Sequence, residues 1–170
     1  MKKLVYVAIA LFAFTSCQQQ KIGFVDNGKV INDYQKKKDI EEKYKVKDEA
    51  FKKRTDSIGQ AFQVEAQAFQ AKASKMSQSK AQKAYDALMQ KQQMLQQQIQ
   101  VEQQQITQAF QTEIDSTIVK VKDFVKNYGK TNGFTYILGT SDGASSVLYG
   151  TEENDLSQTI IDALNAEYKK

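Results

Sequence analysis

The chain has no histidine, no proline and no tryptophan, and only one cysteine and eight glycines in 170 residues. Without histidine the usual general base and the commonest neutral metal ligand are missing, which disfavours enzymatic chemistry. The adjacent acids Glu41-Glu42 and Glu152-Glu153 diverge along the chain and do not meet across a substrate. The segment from Gly139 to Gly143 lacks the strand, loop and helix context of a phosphate site, and Asp142-Gly143 reads as a turn. No catalytic residue, metal ligand or cofactor is expected. From Gln35 to Asn127 the chain meets one glycine, Gly59, and no proline, so nothing there need break a helix. A single cysteine excludes an internal disulfide.

The cysteine lies in an informative place. Lys2 and Lys3 precede an eleven-residue apolar run from Leu4 to Phe14, too short to span a bilayer but right for a secretory signal peptide over residues 1–16. Phe14-Thr15-Ser16-Cys17 resembles the bacterial lipobox, with Phe where Leu is commoner, and predicts Cys17 as the lipid anchor. The alternative is a plain cleaved signal with an incidental Cys. An exported protein seldom keeps a free thiol, which favours the anchor. Each buried acyl CH₂ would add about 0.8 kcal/mol of membrane affinity. Gln18 follows the Cys and no acidic residue is close by, which points to the inner face of the outer membrane.

The mature chain then divides by periodicity. Residues 17–34 hold a strand at Lys21–Asp26, a turn at Asn27-Gly28 and the start of a helix at Val30. Residues 35–130 carry helical seams. Tyr44, Phe51, Ile58, Phe62, Phe69 and Met76 recur at seven, seven, four, seven and seven, a heptad stripe. A second seam runs from Tyr85 and Leu88 through Leu95, Ile99, Ile106 and Phe110 to Tyr128, and Gly129 is expected to end it. Between them, residues 74–80 hold three serines and either turn the helix back or merely weaken it. Equal arms on either side argue for an antiparallel hairpin with its tip there. Gln90 to Gln111 holds twelve glutamines in twenty-two residues, yet the seam passes through it and Gln is a fair helix former, so the tract is helix and not disorder.

Residues 131–170 change character. Phe134–Leu138 and Ser146–Tyr149 read as two strands around a glycine turn, and Asp155 or Ser157 can cap a last helix carrying Ile160, Ile161 and Leu164. The fold class is therefore mainly α with a small β body: a long coiled-coil hairpin plus short strands. Three short strands leave open edges and too little core, which oligomerisation would remedy. Charge is divided as well, with eighteen basic against twelve acidic residues from 35 to 130 and two against six from 131 onward.

An exported chain with this order of elements resembles the OmpH/Skp family of periplasmic chaperones. The residues that carry the resemblance are KIGFVDNGKVINDY at the mature start and FTYILGTSDGASSVLYGTEENDLSQTIIDALN at the end. It implies a homotrimer whose β body is built from three protomers and whose helical tentacles enclose a cavity. It implies that unfolded outer-membrane or envelope proteins are held there without ATP; no nucleic acid partner is expected, because an exported protein rarely meets one. Carried onto this chain, Ile22, Phe24, Val25, Tyr136, Leu138, Val147 and Leu148 would build the trimeric body, and the inner faces of the hairpin would hold clients. Two departures are a lipid anchor, where familiar members are soluble, and the abundance of Gln.

Within the hairpin, Phe62, Phe69, Met76, Leu88, Met89 and Met94 are candidate client contacts, although heptad spacing fits a packed inter-arm seam for most of the stripe. Met supplies adaptable contacts near the tip. Lys72, Lys75, Lys80 and Lys83 are candidates for acidic clients or lipid headgroups, against a plainer reading as a solvated face. The competing function is a structural coiled-coil envelope lipoprotein acting as spacer or tether. Such a spacer has no use for FTYIL and SVLYG.

Overall fold

A computed structural model describes residues 20–169. The signal peptide expected over residues 1–16 and the expected anchor Cys17 lie outside the described residues. The element order is β1 (Ile22–Asp26), α1 (Asn27–Asp33), α2 (Gln35–Ala73), α3 (Gln78–Thr131), β2 (Tyr136–Thr140), a 3-10 turn at Glu152–Asn154 and α4 (Ser157–Tyr168). The chain divides into two compact units, a body from residues up to Tyr34 and from Val119 onward, and a hairpin over Gln35–Ile118.

In the body, β1 and β2 pair in parallel, with Ile22 beside Tyr136, Phe24 beside Leu138 and Val25 beside Gly139. Side chains alternate across a strand, so Val25 and Ile137 share one face while Ile22, Phe24, Tyr136 and Leu138 share the other. The first face is covered: Val25, Val30, Tyr34, Val121, Leu156, Ile160, Ile161 and Leu164 form the core, with Ile137 packed against it. β1 is also held on its second side. Its Phe24 carbonyl accepts from Leu156 N at 2.8 Å, and its Asp26 N donates to Ser157 Oγ at 2.8 Å. Ser157 is fully buried and donates to Asp155 Oδ1, which also accepts from Ser157 N. The N-cap position of α4 is Leu156, which makes no side-chain capping bond; Asp155 and Ser157, expected as caps, instead bond each other and β1.

Three sequence expectations shift. The helix expected from Val30 onward breaks at Tyr34, whose ψ of 120° is extended. Neither Gly nor Pro signals that break. It lets Tyr34 bury fully and set its ring edge-on to Tyr168, 5.9 Å between centroids. Gly129 does not end α3, which runs to Thr131; Ile137 Cδ1 would lie 3.2 Å from a Cβ there, so that glycine makes room for β2. The stop is Gly133, at φ 70°. Phe134 N donates to the Gly129 carbonyl and Gly133 N to that of Lys130, the paired bonds of a Schellman motif, and the Phe134 ring meets Tyr128.

The third shift concerns Ser146–Tyr149. No strand forms there among the described residues. β1 has β2 on one side and Asp155 bridged to Phe24 on the other, and Ser146–Tyr149 does not pair with the edge that remains, that of β2. Leu148 is 91% exposed, while the Gly150 backbone lies against the Phe24 ring.

The hairpin is an antiparallel helix pair turning over residues 74–77. α2 has 39 residues, about 58 Å at the α-helical rise of about 1.5 Å per residue. Lys43 pairs with Glu113, Arg54 with Glu102 and Glu65 with Lys91, while Tyr44 meets Phe110 and Phe69 meets Tyr85. As one member moves down its arm the other moves up by the same number of residues in all three ion pairs, the mark of a single antiparallel register. Gly59 is an exception to good helix composition, since a Cβ there would meet nothing within 4 Å. Gly59→Ala should therefore raise hairpin stability by about 0.5–1 kcal/mol, read as a higher urea midpoint with unchanged slope.

Candidate functional site

Two surfaces stand out once the core is assigned. The first is the uncovered sheet face of the body. Tyr136 is 57% and Leu138 44% exposed, and Ile22 is exposed beside them. Phe24 is half-buried on the same face. Large apolar side chains on an uncovered sheet face are the mark of an interaction surface. Among the expected body residues Val25 is the exception: at 3% exposure it belongs to the chain's own core, because period-2 alternation turns it away from Phe24. Val147 is half-buried and Leu148 exposed.

The second surface is the hairpin. On α2, Ile40, Tyr44 and Phe51 are buried. From Ile58 onward the seam residues, including Phe62, Phe69, Leu88, Leu95 and Ile99, are only half-buried. Two helices alone cannot enclose a seam, so the apolar stripe between the arms remains partly open. Phe62, Phe69 and Leu88 therefore sit in the seam itself, and Phe69 rests against Tyr85 with centroids 6.4 Å apart. Met76, Met89 and Met94 are exposed, Met94 at 65%. Met76 stands in the turn, with its backbone N bonded to the Ala73 carbonyl.

Charge separates the stem from the tip. In the stem, ion pairs cross between the arms or run along one arm, as Lys37–Glu41 and Lys52–Asp48 do. Lys91, further along the second arm, is tied to Glu65. Lys72, Lys75, Lys80 and Lys83 are all exposed, and no ion pair holds any of them among the described residues. The one acid near them, Asp86, accepts from Gln82 Nε2 at 2.9 Å.

A compact polar clamp lies in the stem. Glu113 Oε1 accepts from Lys43 Nζ at 2.6 Å and from the Tyr44 hydroxyl at 2.8 Å. These bonds, from Lys43 first and then Tyr44, hold the Glu113 carboxyl below its ordinary pKa of 4.5. A depressed carboxylate stabilises the folded hairpin above its ordinary pKa, and that contribution fades as pH falls through the folded-state value. The urea midpoint should accordingly fall as pH drops from 6 to 3, and less steeply in Glu113→Gln, which keeps an acceptor but does not titrate. Equal slopes in the two proteins would show that the clamp is not the source.

These inter-arm pairs were invisible in composition, because charge pairing depends on register and register becomes known only with the turn. The arrangement offers apolar seam, exposed methionines and uncharged amides, which suits holding more than bond chemistry. Among the described residues no cluster of His, Cys, Asp and Glu gathers as a metal site, and no helix is long and apolar enough to cross a membrane.

Comparison with known proteins agrees with this layout. The family model described as outer membrane protein (OmpH-like) matches residues 21–164. Among solved structures, the chain is similar to an OmpH-like protein from Caulobacter crescentus, titled as an outer membrane chaperone. The TM-score is 0.76 at 14% identity, over 87% of this chain and 85% of that one. No curated protein matches the sequence.

Proposed function

Because the chain belongs to the OmpH-like family of outer membrane proteins, we propose that it is a periplasmic holdase chaperone for unfolded outer-membrane and envelope proteins. The observation that carries this reading is the pairing of an uncovered apolar sheet face with a helical hairpin whose apolar seam stays half open. The sheet face supplies assembly. Three copies burying Ile22, Phe24, Tyr136 and Leu138 together would close a β body and give Ser146–Tyr149 the neighbour it lacks within one chain. The hairpins then act as tentacles around a shared space. Each client contact is shallow, and many of them together suppress aggregation without ATP, because release requires only that weak contacts exchange.

Met76, Met89 and Met94 supply adaptable apolar contacts, and the unpaired Lys72, Lys75, Lys80 and Lys83 draw acidic segments toward the tip. A spacer or tether would need the seam alone, whereas here the body spends its outward sheet face on large apolar residues. The test is dilution of a urea-unfolded β-barrel protein into the mature chain, followed by size-exclusion chromatography. Co-elution with a trimer, in the absence of nucleotide, is expected. A client that precipitates or elutes alone would end the holdase reading.

The anchor belongs to the same proposal. A lipidated Cys17, five residues before Ile22, would hold β1 within about 18 Å of the inner face of the outer membrane at a maximal chain reach of about 3.6 Å per residue. Cys17→Ala is expected to shift the protein from the membrane pellet to the soluble periplasmic fraction. Continued pelleting after a high-salt wash would argue against lipidation.

A further inference from the structure

Seam residues account for one face of α3, and the glutamines crowd the others. Met94, Gln98, Val101, Gln105, Gln108 and Thr112 recur at four, three, four, three and four, so they lie on one side of the helix, about a third of a turn round from Leu95, Ile99 and Ile106 at about 100° per residue. All six are exposed, and no residue of the six is charged.

Two shallow grooves follow this side and share Gln105. The first, about 520 Å³, is lined by Met94, Gln97, Gln98, Val101, Glu102 and Gln105. The second, about 370 Å³, is lined by Gln105, Gln108, Ala109, Thr112 and Glu113. The acids on the rims are already engaged, Glu102 by Arg54 and Glu113 by Lys43 and Tyr44. What faces outward is therefore amide, methyl and thioether. Met94 at 65% and Val101 at 44% exposure supply apolar contact one turn or two from each amide.

We propose that this stripe is the principal client-holding surface of the arm, and that its ligand is the backbone of an extended, unfolded polypeptide. The proposal rests on the holdase reading. Besides its apolar side chains, an unfolded chain exposes backbone N–H and C=O groups that folding would pair with one another. A side-chain amide carries two donors and an acceptor with two lone pairs, so it can bond either backbone group whichever way the client runs. Such contacts do not depend on client sequence or net charge. A charged row would instead select oppositely charged segments and release them with salt. Gln on a helix thus gives sequence-indifferent, weak and exchangeable holding, with Met and Val adapting to whichever apolar side chains pass.

The experiment compares two triple variants of the mature protein, each adding the same charge to the same helix. Gln98→Lys, Gln105→Lys and Gln108→Lys alter the stripe. Gln93→Lys, Gln100→Lys and Gln111→Lys alter another exposed side of α3. Lys and Gln have similar helix propensity, and circular dichroism checks that both variants fold. Affinity for a fluorescently labelled, urea-unfolded β-barrel protein is measured at 50 and 500 mM NaCl.

The stripe variant is expected to lose about tenfold or more in affinity at both salt concentrations, and the control variant less than about twofold, as befits loss of several contacts of about 0.5–1.5 kcal/mol each. Equal losses in the two variants, or none in either, would overturn the proposal. A stripe variant that changes native mass would also overturn it, since the stripe would then be a seam between copies of this chain. If the unaltered protein holds no client at all, it is the holdase reading that fails.

Discussion

Leu164→Ala is expected to lower stability by about 2–5 kcal/mol, the span seen for fully buried leucines whose surroundings only partly collapse. Leu164 is fully buried, as are Ile160, Val30 and Tyr34 around the same cluster. The position is unforgiving because the body is small. Two short helices, α1 and α4, with Tyr34, the end of α3 and the covered face of a two-stranded sheet make this core, and small domains keep only a narrow margin. With total stability typically about 5–15 kcal/mol for a domain, a loss of this size removes a large share of the body's stability. Urea titration followed by near-ultraviolet circular dichroism reads it through Tyr34 and Tyr168, whose rings meet over α4. A midpoint unchanged by the substitution would mean that the core lies elsewhere.

The second large effect separates folding from assembly. Leu138→Lys should leave the individual chain folded, because Leu138 is 44% exposed on the uncovered sheet face and a lysine there can extend its charged end into water. In a trimer that buries this face, three ammonium groups would be brought together without partners. Leaving a buried charge unpaired costs about 3–5 kcal/mol, so the assembly should dissociate at concentrations at least about a hundredfold higher than the unaltered protein. Analytical ultracentrifugation over a concentration series reads this directly. A variant that remains as large as the parent would place the assembly face elsewhere, and loss of helical signal in the monomer would show that Leu138 serves the chain's own fold.

How much of this was legible beforehand depends on what each element uses to declare itself. The hairpin was readable because Tyr44, Phe51, Ile58, Phe62 and Phe69 keep a heptad spacing, and a periodic stripe survives any bias in composition. The same spacing rescued the glutamine tract. The break at Tyr34 was not readable, since it arises from burying one ring against Tyr168 and leaves no Gly or Pro behind. Gly129 misled because a glycine after a helical run usually ends it; this one instead clears space for Ile137, and Gly133 four residues later takes the positive φ. Ser146–Tyr149 has the alternation of a strand but no partner within one chain, and sequence pattern cannot say whose edge a strand will meet.

The candidate site divides in the same way. The exposed sheet face follows from alternation once β1 and β2 are paired, and the same alternation turns Val25 to the covered side. The client-facing residues were harder to single out. Phe62, Phe69 and Leu88 stand out by size and by seam spacing alike, while the uncharged side of α3 carries no large aromatic to draw the eye. The pairing of Lys91 with Glu65 likewise becomes visible only with the register.

The central claim is that this chain keeps unfolded envelope proteins from aggregating. It is tested most directly by light scattering. A urea-unfolded β-barrel outer-membrane protein is diluted into buffer without nucleotide, with the mature chain present at zero to six protomers per client. Scattering should fall steeply and be largely abolished near three protomers per client. Scattering that is unchanged even at six protomers per client would contradict that claim and would leave a structural coiled-coil lipoprotein in its place.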